Sequence, residues 1–439
     1  FYNAPTWTPT WQSLGGGMFT GWDLTANGGS TGDGSKTVYL KCLDKAGNIG
    51  GTWNDSIYLD RIAPSVPSNL VSVSPTNDIT PVISWTKSTD SGSGMKTVNT
   101  YALSYGEKGT SGCSYTYPIV YITPISQDAP SYEFESALTY GEWCFKVSAF
   151  DQAENQSAYS TPDKIVFIDN VAPSSPSITL AGTTIGSYKY TASTSVGATL
   201  YASDPTTPLS MLLYESGGVN TGWLSYATSY TFTVTSGDGI KRVYARYKDA
   251  VGNTTSDVSD IVILDTTPPQ WAVGAKPGTP TPTNDTTPTW TWNAPSDAGS
   301  GLRSTNTYKF FYSNSLSGPW TSVFVNSPTY THPTALVEGT WYAKVKAYDA
   351  LNFESADSSI GQVVISTTFD GYASVTIANA AVFTNTLSVS LKLEAEDPQG
   401  VAQYGVCNAA SAAGCTPTVA TAYPGNPTTL SGYALAAGG

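Results

Sequence analysis

Short runs of alternating apolar and polar residues recur along this chain, while long helix-compatible stretches of Ala, Leu, Glu and Lys are missing. Four of the runs share one plan, an alternating strand closed by a turn that opens on Asp. The turns are Asp44-Lys45-Ala46-Gly47-Asn48, Asp151-Gln152-Ala153-Glu154-Asn155, Asp249-Ala250-Val251-Gly252-Asn253 and Asp349-Ala350-Leu351-Asn352. A period of two marks a half-buried strand. Asp and Asn suit a tight hairpin turn because their side chains bond the local backbone.

After the first three turns comes a closing strand and then proline: Ile57-Tyr58-Leu59-Asp60 before Pro64, Val166-Phe167-Ile168-Asp169 before Pro173, and Ile263-Leu264-Asp265 before Pro268-Pro269. Proline cannot continue a ladder, so it ends the strand and stiffens the linker. Two kinds of repeat alternate. One opens on Ser74-Pro75-Thr76-Asn77-Asp78 or its twin Pro282-Thr283-Asn284-Asp285 and carries a Gly-Ser-Gly loop, at Asp90 to Gly94 and Asp297 to Gly301. The other carries Gly-Asp-Gly before its penultimate strand, at Gly32-Asp33-Gly34 and Gly237-Asp238-Gly239. A two-domain unit of about 205 residues is therefore repeated.

The predicted class is all-β: tandem sandwiches in an elongated rod, since a chain of 439 residues suits roughly four sandwiches of about 100 residues each. The expected segments are 1–64, the back half of an Ig-like sandwich; 65–173, fibronectin-III-like; 174–267, Ig-like; 268–369, fibronectin-III-like; and 370–439, the front half of an Ig-like sandwich. The Asp-x-Ala-Gly-Asn turn, the Gly-Asp-Gly-x-Lys-x-Val-Tyr segment and the Leu-Asp exit resemble the Ig-like and fibronectin-III-like repeats of large bacterial surface proteins. That resemblance covers nearly the whole chain and implies a fold more than a role.

Composition agrees with strands: aromatic residues make up 12% and charged residues only 12%, about half the usual charged share. A net charge of −13 with no basic run excludes a nucleic-acid binder, which must attract phosphates. No apolar run approaches the 18 or so residues that span a membrane. The opening Phe1-Tyr2-Asn3 reads as a processed or excised terminus. Cys113 and Cys144 fall in one repeat and Cys407 and Cys415 lie close together, pairings that fit disulfides outside the cytosol. Cys42 is left over.

The search for chemistry returns little. His332 is the only histidine, which disfavours a Ser-His-Asp or Cys-His centre and excludes a multi-His zinc site. No Walker or Rossmann loop occurs, so the chain is read as non-enzymatic. Calcium is the cofactor to weigh, because hard cations take carboxylate and carbonyl oxygens. Asp60, Asp169 and Asp265 sit at domain exits, where the turn of the same domain, or the Asp90 or Asp297 loop of a neighbour, is placed to approach. Against this stands turn capping, which needs no ion. Trp85, Trp143 and Trp290 lie where sandwiches keep their large core aromatic, whereas Trp7, Trp11 and Trp22 cluster near the head. Asn54, Asn155, Asn253 and Asn284 begin N-glycosylation sequons, three of them at or near turns and so expected to be exposed.

The function expected from these features is a structural subunit or repeat segment of an extracellular fibre or cell-surface filament. Its partners are copies of itself, the 370–439 half of one copy completed by the 1–64 half of the next. The alternative is an adhesin stalk or an array binding cell-surface or carbohydrate ligands.

Overall fold

The structure, a computed structural model, describes residues 11–12, 17–26, 28–124, 126, 128–368, 371–377, 388–397, 403–404, 421–422 and 428–434. Every regular element among them is a β-strand. At the N-terminal end β1 (Gly34–Leu40) and β2 (Trp53–Leu59) form an antiparallel hairpin.

Eight strands follow: β3 (Ser68–Val71), β4 (Val82–Thr86), β5 (Tyr101–Gly109), β6 (Gly112–Cys113), β7 (Val120–Ile122), β8 (Ser131–Glu133), β9 (Gly141–Ala149) and β10 (Lys164–Ile168). They build one sheet in the order β3-β4-β8 and another in the order β10-β9-β5-β6, with β7 also paired to β5. Ile83 and Trp85 of the first sheet share one buried cluster with Tyr101, Leu103, Trp143 and Phe145 of the second. Burying a side chain of that size stabilises by roughly 1.5–3 kcal/mol. The Cys113–Cys144 disulfide ties β6 to β9, with Cα atoms 5.8 Å apart. Cys407 and Cys415, like Trp7, lie outside the described residues.

The next nine strands are β11 (Ser174–Leu180), β12 (Thr183–Ile185), β13 (Tyr188–Thr191), β14 (Ser195–Ser203), β15 (Ser210–Glu215), β16 (Asn220–Ser225), β17 (Ser229–Thr233), β18 (Gly239–Lys248) and β19 (Val258–Leu264). A three-stranded sheet β11-β14-β17 faces a six-stranded sheet β12-β13-β19-β18-β15-β16. Strict alternation along β14 sends Val196, Ala198, Leu200 and Ala202 inward. Lys241 is buried because its Nζ donates to Thr235 Oγ1 (3.0 Å) and the Ser236 carbonyl (3.4 Å). Lys36 does the same beside the first Gly-Asp-Gly loop, donating to the Ser30 carbonyl at 2.6 Å. The Lys of the motif therefore caps loop carbonyls.

A further sandwich uses β20 (Thr289–Thr291), β21 (Tyr308–Ser313), β22 (Thr321–Val325), β23 (Thr329–Thr331), β24 (Gly339–Ala347) and β25 (Gly361–Ile365). Its sheets are β20-β23 and β22-β21-β24-β25, closing over Trp290, Trp292 and Phe310. Paired antiparallel sheets over one apolar core are the Ig-like and fibronectin-III-like architecture. In each complete sandwich an early segment crosses to run parallel beside the closing strand, at Thr76↔Ile168, Tyr190↔Ile263 and Thr283↔Ile365, which covers that edge. The C-terminal end adds β26 (Tyr372–Ile377), β27 (Ser388–Glu396), β28 (Gln403–Tyr404), β29 (Thr421–Ala422) and β30 (Thr428–Ala434). They form sheets β26-β27-β30 and β28-β29.

Candidate metal centres at the domain junctions

Two of the three exit aspartates, Asp169 and Asp265, are held by their backbone at one end of their own sandwich. Asp169 N–H donates to the Thr76 carbonyl (2.8 Å) and Asp265 N–H to that of Thr191 (3.0 Å). The Gly-Asp-Gly loop secures the residue after the exit: Arg61 N–H donates to Asp33 (3.1 Å) and Thr266 N–H to Asp238 (2.9 Å). The exit carboxylates then enter the following domain. Among the described residues, carboxylate oxygens gather within 4.8 Å of one another in three triads: Asp60, Asp90 and Asp151; Asp169, Asp204 and Asp249; and Asp265, Asp297 and Asp349.

The turn that meets each exit aspartate belongs to the next domain and not, as one alternative from the sequence had it, to the same domain. Strand polarity is the reason. The closing strand runs antiparallel to the strand that feeds the turn, with Ile168 opposite Gly141 at the far end of β9 from Asp151. A domain's turn and its exit therefore lie at opposite ends.

Every triad has one aspartate from the linker, one from a loop and one from a turn. In the turns, Oδ1 accepts backbone N–H groups: Asn155 (2.8 Å) at Asp151, Val251 and Asn253 (both 2.9 Å) at Asp249, and Leu351 (2.9 Å) and Phe353 (2.8 Å) at Asp349. In the loops, Asp90 accepts from Gly92 (2.9 Å) and Gly94 (2.7 Å), and Asp297 from Gly299 (3.1 Å) and Gly301 (2.7 Å). The linker carboxylates accept from Ser93 N–H (2.6 Å) at Asp60, Ser300 N–H (2.7 Å) at Asp265 and the Thr206 hydroxyl at Asp169. Capping and clustering coexist: the caps of Asp90, Asp204, Asp297 and Asp349 engage one oxygen, whereas Asp60, Asp169 and Asp265 also accept Ile62, Val171 and Thr267 N–H on the other, and Asp151 and Asp249 turn their second oxygen to the Asn155 and Asn253 amides.

The Asp90 and Asp297 loops meet the exits, as the sequence suggested; what sequence reasoning passed over is why these loops carry glycine. A Cβ on Gly92 would sit 2.6 Å from Asp60 Cγ, and one on Gly299 would overlap the Asp265 carboxylate. Only glycine admits the linker aspartate there. Asp151, Asp249 and Asp349 were legible as turn residues but not as partners of the preceding domain's exit, and Asp204 was not singled out, since nothing local pairs them.

Electrostatics record the crowding. Burial pushes the Asp349 carboxyl above its ordinary 3.8, and the charges of Asp265 and Asp297 push the same way. Burial likewise raises Asp204, against the Thr206 N–H that lowers it and with the charges of Asp169 and Asp249. Asp60 is held below 3.8, chiefly by the Ser93 N–H. Three carboxylates in one desolvated space repel unless a proton or a cation intervenes. An all-oxygen donor set from three chain segments is what a hard divalent cation such as calcium takes.

Two sequons are spent on these junctions. Asn155 Nδ2 donates to the Asp60 carbonyl (3.1 Å) and Asp151 Oδ2 (2.7 Å), and Asn253 Nδ2 to the Asp169 carbonyl (2.8 Å) and Asp249 Oδ2 (2.7 Å). The expectation that turn sequons are exposed fails at both, because each amide already commits both N–H groups to these bonds and a glycan would take one of them. His332 is buried in the β20–β25 core and packs edge-on to Tyr312 at 4.5 Å. Trp85, Trp143 and Trp290 are core residues as expected.

No protein-family model matches the chain, and no curated protein matches it. Solved structures with some likeness include the FN1–FN3 domains of chicken CNTN1, 11% identical, covering 69% of this chain and 99% of that one with a TM-score of 0.23. Titin domains A168–A170 are 13% identical, over 69% of this chain and 98% of theirs, with a TM-score of 0.28. Scores this low add no weight; the chain is an all-β tandem of Ig-like and fibronectin-III-like sandwiches by its own sheets and cores.

Proposed function

We propose that this chain is a structural segment of an extracellular fibre or cell-surface filament, non-enzymatic, in which copies join end to end. The head hairpin carries the proposal. Its pairing, Gly34↔Leu59 and Lys36↔Ile57, repeats that of β18 and β19, Gly239↔Leu264 and Lys241↔Val262. Yet Val262 is 0% exposed beneath the β11-β14-β17 sheet, and its counterpart Ile57 is 59% exposed. At the other end of the chain, β26-β27-β30 is a three-stranded antiparallel sheet of the β11-β14-β17 kind. The tail of one copy thus offers a sheet of the kind that, among the described residues, the head hairpin is without, a heterologous contact that propagates when it does not close. Light scattering over a concentration series tests this. Growth with concentration is expected, and a size independent of concentration contradicts it.

The junctions complete the reading: linker aspartates inserted into the next domain, bridged by a divalent cation in each triad, turn a string of sandwiches into a stiff rod. The disulfide accords with life outside the cytosol. Small-angle scattering in calcium and in chelator tests the bracing, with a shorter maximum dimension expected in chelator. Identical curves count against it.

A further inference from the structure

Superposing the three turns by sequence exposes one difference. The residue four places after the turn aspartate is Asn155 or Asn253 in the first two triads but Phe353 in the last. Asn352 does not fill that role: it stands one place earlier, at φ 73°, where the other turns have Glu154 (φ 69°) and Gly252 (φ 107°), and its Oδ1 accepts from Arg303 at 3.1 Å. Asn155 and Asn253 each join the turn carboxylate's Oδ2 to the carbonyl of the exit aspartate. Phenylalanine can donate to neither. As a result Asp349, 0% exposed, has a buried Oδ2 with no hydrogen-bond partner. A second buried orphan belongs to the same junction: Ser300, whose N–H holds Asp265, has a hydroxyl without a partner.

Buried polar atoms rarely go unpaired, and an unpaired carboxylate oxygen is the costliest kind. The triad offers no donor to Asp349 Oδ2; its facing groups are the carboxylates of Asp265 and Asp297. A hard divalent cation satisfies all three at once, and a hydroxyl such as that of Ser300 suits its shell. We propose that the Asp265–Asp297–Asp349 junction is the cation-dependent joint of this chain, its calcium doing the work that an asparagine amide does at the other two. The proposal rests on the reading of the triads as cation sites and adds a hierarchy to it. Withdrawing calcium loosens this joint first, while the Asn155 and Asn253 clamps hold the others.

Hydrogen exchange on the full chain, in chelator and in calcium chloride, separates the possibilities. In chelator, Ser300 and Phe353 are expected to exchange at least tenfold faster than their counterparts Ser93 and Asn155. Calcium is expected to slow the Asp349 joint at least tenfold and the others less, with magnesium weaker because it demands tighter octahedral geometry. Phe353→Asn restores the amide, so it is expected to protect the joint in chelator and to shrink the calcium effect to that of the other junctions. Asp349→Asn removes the orphan charge and is expected to abolish the effect there alone. Calcium acting equally at all junctions, or a Phe353→Asn chain with an unchanged response, overturns the hierarchy while leaving the cation reading intact. No response to calcium at any junction overturns both.

Discussion

Gly299→Ala tests how the linker is seated. The new Cβ would overlap the Asp265 carboxylate, so the carboxylate must leave and its 2.7 Å bond from Ser300 N–H is lost. A hydrogen bond to a charged group contributes about 1.5–3 kcal/mol. Since about 1.4 kcal/mol is tenfold in an equilibrium, Ser300 should exchange its amide proton roughly 10- to 150-fold faster. Measured in chelator by hydrogen exchange, the effect is separable from any bound ion. A double-mutant cycle supplies the control: once Asp265→Ala has removed the carboxylate, Gly299→Ala should cost almost nothing more. Full protection of Ser300 in Gly299→Ala, or an undiminished cost in the Asp265→Ala background, would refute the idea that this glycine exists to admit the linker aspartate.

Three other outcomes follow from the cores and the head. His332 is 2% exposed, its Nε2 lacks a partner, and burial lowers it to about 4 from 6.5. Its fold keeps it neutral, so stability present above pH 6.5 is lost as pH falls toward 4, by about 3 kcal/mol; thermal melts should show that slope in the wild type and not in His332→Leu. Replacing Cys113 and Cys144 by Ala opens a loop with a sequence separation of 31. That should lower the stability of the β3–β10 sandwich by about 3–4 kcal/mol in denaturant titrations, with the other sandwiches unmoved. Cys42 is exposed, while the equivalent Tyr247 is a buried core residue. A thiol reagent should therefore label dilute chains quickly and concentrated ones slowly, and a rate independent of concentration would count against end-to-end joining.

How far the sequence could be read depended on the distance over which each signal acts. Alternation in β14 or β18 and the Asp turns are local, so strands and hairpins were visible directly. Trp85 and Trp290 announced their cores because a tryptophan between polar neighbours on a strand has one sensible side to face, and Trp143 because it opens a run of apolar residues. The triads were half visible. Asp60, Asp169 and Asp265 stood out by position, but their partners lie 30 to 91 residues on, and strand polarity, not proximity in sequence, decides which turn they meet. Asn155 and Asn253 misled for a related reason: a three-residue sequon cannot reveal that its amide is already bonded to a neighbouring domain. The substitution of Phe353 for asparagine was in plain view yet carried no meaning until Asp349 Oδ2 was seen to be alone.

End-to-end completion is tested most directly by electron microscopy of the purified chain at increasing concentration, beside a variant lacking residues 1–64. The account predicts filaments from the intact chain, with a repeat of roughly four sandwich lengths, and none from the truncated one. Single particles at every concentration, with Cys42 still open to reagent, would contradict it.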